Sequence, residues 1–167
     1  MNPLLQACAW LYDQPWATAI RESEVSFPAI ETLHVLSLMV MVGTIAIVDL
    51  RILGLVLRRE PADQISAALL PATWVGFALM ATTGAALFAA EAIDMYVNPA
   101  FRWKLALLAV AGANMVIFHF TRYRRRSRWS SSLALPWSAR TAAALSLATW
   151  SAVIIAGRAI AYFHHHS

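Results

Sequence analysis

The chain has 167 residues, of which 60% are hydrophobic and 13% are charged. Soluble domains carry about 45–50% apolar and about 25% charged residues. The apolar excess argues against a soluble enzyme, and the same composition excludes a disordered chain, which would be polar and rich in charge. The length allows one domain, with room for four or five membrane crossings of about 20 residues each.

Residues 1–27 precede the long apolar stretches, and their pattern predicts a short amphipathic helix lying at a membrane interface. Asn2 and Pro3 are typical of a helix start, and residues 13–15 interrupt the pattern before a second helical turn toward Ile20. The segment carries aromatic residues suited to a membrane interface: Trp10, Tyr12 and Trp16.

Four apolar stretches follow, each long enough to cross a hydrocarbon core of about 30 Å as a helix. They cover residues 28–57, 65–96, 100–121 and 140–163. Nothing resembles a strand pattern. The sequence therefore predicts an all-α fold, a polytopic four-helix membrane bundle over residues 28–163. Residues 164–167 form a tail whose three histidines suit either a metal-binding tail or the remnant of an expression tag.

The basic residues are distributed unequally between the two sides of this bundle. Nine of the 13 Lys and Arg residues fall in or near the loops after the first and third helices. Positively charged loops stay in the cytoplasm, so both termini are predicted to face the periplasm of a bacterial inner membrane. The arginine run around residues 122–128 fits anionic lipid headgroups, and a nucleic-acid partner is not expected.

Six ionisable side chains are predicted to lie at one level near the outer ends of the helices. Placing an ionisable group inside a membrane costs free energy, so each such residue is expected to have an interaction partner or a functional role. The six residues come from all four helices: Glu31, His34, Glu91, Asp94, Lys104 and Arg158. Three interpretations remain open: a haem site, a metal site with nitrogen and oxygen ligands, and an ion-pair network that only holds the helices together.

In the haem interpretation, His34 ligates a haem b near the outer side. Lys104 and Arg158 neutralise the propionates, and Glu31 accepts a hydrogen bond that orients His34. In the metal interpretation, His34 and Glu31 join two further carboxylates, Glu91 and Asp94, in a site for copper or another metal ion.

A second polar cluster is predicted near the inner ends of the helices. It contains Asp49, Arg51, Asn114 and His119, and Asp49 is expected to be neutralised by Arg51 or Arg122. His34 and His119 lie about 20 Å apart along the membrane normal. The two axial ligands of one haem are only about 4 Å apart. A single haem held by both histidines is therefore excluded, and a structural role is expected for the inner cluster.

Small residues predict where helices approach closely, because packing drives association inside a membrane. Gly76 and Gly84 mark the second long helix, and Gly112 marks the third. The fourth carries an alanine stripe: Ala144, Ala148, Ala152 and Ala156.

The motifs resemble an uncharacterised family of small bacterial four-helix membrane proteins across nearly the whole chain. The resemblance rests on these residues: Glu31 to His34, Gly43, Asp49 to Gly54, Asn98 to Phe101 with Lys104, Asn114, Phe118 and His119, and Ala156 to Arg158.

Two further families are similar in part. The first long helix resembles that of CopD-like copper-resistance domains in its leucine–histidine opening and its glycine. HemJ-type haem-binding membrane proteins carry a histidine in helix one and a lysine in helix three, which correspond to His34 and Lys104. This resemblance implies a haem b beside these two residues. It does not extend to the rest of the helix-one motif or to Asp49-Leu50-Arg51.

The leading hypothesis is a b-type haem protein that passes electrons between a periplasmic donor and a membrane acceptor such as quinone. One alternative is handling of copper or another metal at the outer face. Another is a non-enzymatic subunit that anchors or assembles a larger membrane complex.

Overall fold

The computed structural model describes residues 2–124 and 137–163, apart from the side chains of residues 116, 118–124 and 163. This part of the chain is all-helical and contains no strand, which confirms the predicted class. The helices are α1 (Pro3–Tyr12), α2 (Pro15–Arg21), α3 (Ser26–Leu53), α4 (Ala62–Ala90), α5 (Ala92–Val97), α6 (Pro99–Arg124) and α7 (Trp137–Phe163).

The predicted helix over residues 65–96 is wrong in one respect, because it is divided into α4 and α5. The backbone of Glu91, with φ −126° and ψ 29°, leaves helical geometry between them. The short helix α5 thereby leaves the axis of α4 and packs against α1. The tail over residues 164–167 lies outside the described residues.

Within the described residues, three helices are long and apolar enough to cross a membrane: Ser26–Leu53, Ala62–Ala90 and Trp137–Tyr162. Many of their large apolar side chains point away from the protein, including Met39 and Val75, each at least 60% exposed. Such surface is stable against lipid and would be unusual against water. The chain is therefore a multi-pass membrane protein. The fourth long helix, α6, has 26 residues and packs along α7.

The long helices form two packed pairs, α3 with α4 and α6 with α7, and α3 joins the pairs by contacting α7. At one end, Arg140 at the start of α7 donates to the carbonyl of Leu53 at the end of α3 (3.4 Å). At the other end, Asn98 donates to the carbonyl of Ile160 near the end of α7 (3.2 Å). We call these the Gly54 end and the Asn98 end.

The close packing of α3 on α4 is made possible by Gly76. A Cβ atom at this position would lie 3.0 Å from the backbone nitrogen of Met41 and 3.1 Å from the carbonyl oxygen of Ser37. Both contacts are to backbone, so neither can yield by a rotamer change. One turn further, Thr73 donates to the hydroxyl of Thr44 (2.8 Å).

Two of the packing predictions from small residues are wrong. A Cβ at Gly112 would meet no atom within 4 Å, so this glycine does not mark a close helix approach. Ala144 and Ala148 of the predicted alanine stripe are exposed. The buried face of α7 is offset by one or two positions and contains Ala139, Ala143, Ser146, Thr149 and Val153.

The Asn98 end is closed by two polar residues that bond to several elements at once. The Oδ1 atom of Asn98 accepts from the N–H groups of Ala100 and Phe101, which caps α6. Arg21 at the end of α2 donates to the carbonyls of Tyr12 and Ala90, at 3.2 and 3.0 Å. The short N-terminal helices are thereby tied to the end of α4, while their predicted position at a membrane interface stays a prediction.

We expect Gly76→Ala to lower the thermal stability of the protein in detergent. The added methyl group overpacks a backbone contact, and overpacking costs about 1–3 kcal/mol. The measurement is thermal unfolding followed by circular dichroism.

Gly43→Ala is the matched control, since a Cβ at Gly43 meets nothing within 4 Å. Alanine is the better helix former, so this variant should be at least as stable as the wild type. Equal stability of the two variants would contradict the packing argument.

Candidate functional site

Four residues from the four long helices meet about 8–12 Å from the Asn98 end, judged by a rise of 1.5 Å per residue. They are His34 of α3, Thr83 of α4, Lys104 of α6 and Gly157 of α7. We call this group the His34–Lys104 site. It forms because the antiparallel helices bring their ends to one level, as the sequence predicts for His34 and Lys104.

The imidazole of His34 is oriented by Thr83. The Nδ1 atom lies 3.0 Å from the Thr83 hydroxyl oxygen, whose own hydrogen is donated to the Leu79 carbonyl (2.6 Å). The carbonyl of Met80, which can only accept, also lies near the ring. Both partners accept, so the neutral ring carries its proton on Nδ1. The Nε2 lone pair is then left for a ligand.

Gly84 provides the space that this ring occupies. A Cβ at position 84 would lie 3.0 Å from Cε1 and 3.4 Å from Nδ1 of His34. The ring therefore lies against the bare backbone of α4. One turn nearer the Asn98 end, Phe88 of α4 stacks on Phe101 of α6, with centroids 5.4 Å apart. This stack joins α4 to α6 beside the site.

Lys104 carries the positive charge of the site. Its side chain is largely buried and lies along Gly157, where a Cβ would be 3.6 Å from Nζ. The ammonium group is close enough to His34 to act on the ring electrostatically. Within the described part of the chain, no carboxylate pairs with Lys104. An amine removed from water without a counter-charge favours an anionic group beside it.

Two residues predicted for this site lie at its edge. Glu31 is exposed, and its charge reaches His34 only as a longer-range electrostatic effect. The orienting hydrogen bond that the sequence assigned to Glu31 is made by Thr83. Arg158 is also exposed, whereas its neighbour Gly157 faces Lys104.

The four predicted metal ligands are not gathered together. Asp94 is exposed on α5 and Glu91 is partly buried at the junction of α4 and α5. Among the residues whose side chains are described, no three histidine, cysteine or acidic side chains lie together as a metal site.

The predicted inner cluster is dispersed among separate partners. The Nε atom of Arg51 donates to the carbonyl of Glu60 (2.6 Å), and Asn114 donates to the carbonyl of Ala142 (3.2 Å). Asp49 lies beside Ser146 of α7, whereas Arg51 is directed to Glu60. The side chains of His119 and Arg122 lie outside the described residues.

Sequence reasoning missed Thr83 and Ser146. Each is a small hydroxyl residue in an apolar helix, where such residues usually bond to their own backbone. The only available signal was a polar residue at the same depth as His34 or Asp49, and that signal is shared by several other serines and threonines.

A model of the DUF6644 family, described as a family of unknown function, matches residues 25–163. Neither a curated protein nor a solved structure matches the chain. The partial resemblances to CopD-like and HemJ-type proteins therefore rest on sequence motifs alone.

We expect nitrogen-15 NMR of the imidazole to identify His34 as the Nδ1–H tautomer in its neutral form. Thr83→Ser should preserve this tautomer because it keeps the accepting hydroxyl. Thr83→Val should weaken the preference for this tautomer because it removes the accepting hydroxyl. It should not abolish the preference, since the Met80 carbonyl remains. The opposite tautomer in the wild type would contradict the assigned hydrogen bond.

Proposed function

We propose that this chain, which belongs to the DUF6644 family, is a membrane haem b protein. Its activity would be electron transfer from a periplasmic donor to a membrane acceptor such as quinone. One observation carries the proposal. His34 has one ring nitrogen engaged by Thr83, and its other ring nitrogen has no hydrogen bond to a described residue; beside it lies a largely buried lysine without a carboxylate partner in the described residues.

His34 fits the role of an axial haem ligand. Ligating histidines almost always donate their second ring nitrogen to an acceptor, which sets the ring orientation and raises ligand basicity. Thr83 and the Met80 carbonyl are such acceptors. Gly84 adds to this arrangement, because it lets the ring lie against α4 with little freedom to turn.

Lys104 fits the role of a propionate partner. A carboxylate and an ammonium group form a strong charge-assisted hydrogen bond where water is scarce. The lysine acts electrostatically on His34, so one bound group of porphyrin size would reach both residues. Arg158 is exposed near the same end and would contribute from the surface.

When bound, a haem supplies reversible one-electron chemistry at its iron. The residues of this chain supply the surroundings. Thr83 holds the His34 ring, Lys104 provides positive charge, and the Phe88–Phe101 stack covers the side of the site between α4 and α6. The positive charge of Lys104 favours a bound anionic group.

The proposal includes a topology of four crossings in a bacterial inner membrane. The long helix α6 is the fourth crossing, with its 26 residues packed along α7. Exposed arginines Arg58, Arg59 and Arg140 lie at the Gly54 end, which supports a cytoplasmic position for that end. The His34–Lys104 site and both termini then belong to the periplasmic side.

The spectral test is a visible spectrum of protein purified in mild detergent with haem supplied. We expect a Soret band in the wild type and its loss in His34→Ala. Thr83→Val should weaken haem affinity by about 10–100-fold, as is usual for partners of a ligating histidine.

His119→Ala is the matched control, because it removes the other membrane histidine and should keep the band. Wild-type protein without a Soret band would overturn the haem proposal. Metal analysis of the same preparations identifies copper bound in its place, and copper lost in His34→Ala would support the metal alternative instead.

Topology is tested with single cysteines in a Cys8→Ala background, since Cys8 is the only cysteine. Glu24 and Glu60 are both exposed and lie at opposite ends of the bundle. An impermeant thiol reagent added to intact spheroplasts should label Glu24→Cys. It should label Glu60→Cys only after permeabilisation, and the reverse pattern would contradict the orientation.

A further inference from the structure

Asp49 is a buried carboxyl group that the proposed haem site does not use. It lies on α3, one turn before the Gly54 end, and is only 7% exposed. The Ser146 hydroxyl of α7 lies beside the carboxyl group, whereas the Oδ2 atom is buried and has no hydrogen-bond partner in the described part of the chain. One of the two carboxyl oxygens of Asp49 is therefore buried without a hydrogen bond in the described residues.

The charged groups on the neighbouring elements are directed elsewhere. Arg51, two residues along α3, is buried and donates its Nε hydrogen to the carbonyl of Glu60. Arg140 of α7 is exposed and bonds to the carbonyl of Leu53. On α4, Asp63 is exposed. Ser146 is thus the described side chain that acts on Asp49, and it carries no charge.

The path from Asp49 toward the Gly54 end is apolar. Ile52, Ala139 and Ala143 form a buried cluster that lies about one turn further along α3 and α7. Val48, Leu53 and Ala62 pack around this cluster. Among the described side chains, no counter-charge faces an ionised carboxylate held here, and a buried charge without one costs several kcal/mol in a protein interior.

Two ligands would remove this cost, a metal ion or a proton. Metal ions that prefer oxygen need about six oxygen ligands. Ser146 offers one hydroxyl group beside Asp49, and the buried cluster toward the Gly54 end is apolar. A proton binds to the Oδ2 atom alone and needs no further ligand.

We propose that Asp49 and Ser146 form a proton-binding site in the membrane interior near the Gly54 end. The Oδ2 atom carries the proton, and the Ser146 hydroxyl donates to the other carboxyl oxygen. The site is separate from His34 and Lys104, which lie toward the opposite end of the bundle. It therefore does not depend on haem binding.

The direct test is infrared spectroscopy of the full-length protein in detergent or liposomes at neutral pH. A protonated buried carboxyl group gives a carbonyl-stretch band that an ionised carboxylate lacks. We expect this band in the wild type and its loss in Asp49→Asn, which keeps the shape of the side chain. Asp63→Asn is the matched control and should keep the band, because Asp63 is exposed.

A second measurement locates the proton and distinguishes it from a metal ion. Dicyclohexylcarbodiimide is an apolar reagent that adds to protonated carboxylic acids, and mass spectrometry identifies the modified residue. We expect an adduct at Asp49 that is insensitive to sodium, potassium and magnesium ions and that declines as the pH is raised.

The carbodiimide adduct is located on the wild-type protein, so poor folding of the Asp49→Asn variant does not weaken that measurement. A missing acid band overturns the proposal. An adduct that one of the metal ions suppresses also overturns it, because the Oδ2 atom would then hold that ion. The interpretation of both results does not depend on whether the protein binds haem, which the Soret band reports separately.

Discussion

A polar group inside a membrane has no water to bond with, and this constraint organises the whole bundle. Hydroxyl residues along the long helices donate to the carbonyl four residues earlier, as in Ser37 to Leu33, Thr83 to Leu79 and Thr149 to Leu145. Groups that cannot bond within their own helix reach across to another, as Asn98 does to Ile160. The residues of functional interest have polar atoms without a bonding partner among the described residues: the Nε2 atom of His34, the ammonium group of Lys104 and the Oδ2 atom of Asp49.

The position of His34 follows from the way α3 packs on α4. Gly76 lets the two backbones approach, and two turns further along α4 a second glycine, Gly84, faces the imidazole. Between them, Thr83 has already donated its hydrogen to Leu79 and can only accept from His34. Close helix packing therefore selects the tautomer of the histidine, and the tautomer determines which ring nitrogen is available to a ligand.

Much of this arrangement was predictable from depth alone. Counting residues from the helix ends predicts that His34 and Lys104 lie near one level, because helices rise uniformly, and in the structure Lys104 is near enough to His34 to act on it electrostatically. The partner of His34 was not predictable. Glu31 and Thr83 are both polar residues near the depth of His34, and the rotation of α3 against α4 decides whether Thr83 faces the ring. The exposed alanines Ala144 and Ala148 show the same limit. A helix that is apolar on every side gives little indication of which face is buried.

The sequence by itself determined the class of the protein and the positions of its long helices within a few residues. These properties depend on composition and on distance along the chain. Only the tertiary structure decided that Thr83 orients His34, that Lys104 lies along Gly157, and that Asp49 lies beside Ser146 while Arg51 donates to Glu60. The physical reason is that contacts between helices depend on their rotation and spacing, which small residues such as Gly76 set through packing with neighbours distant in the chain.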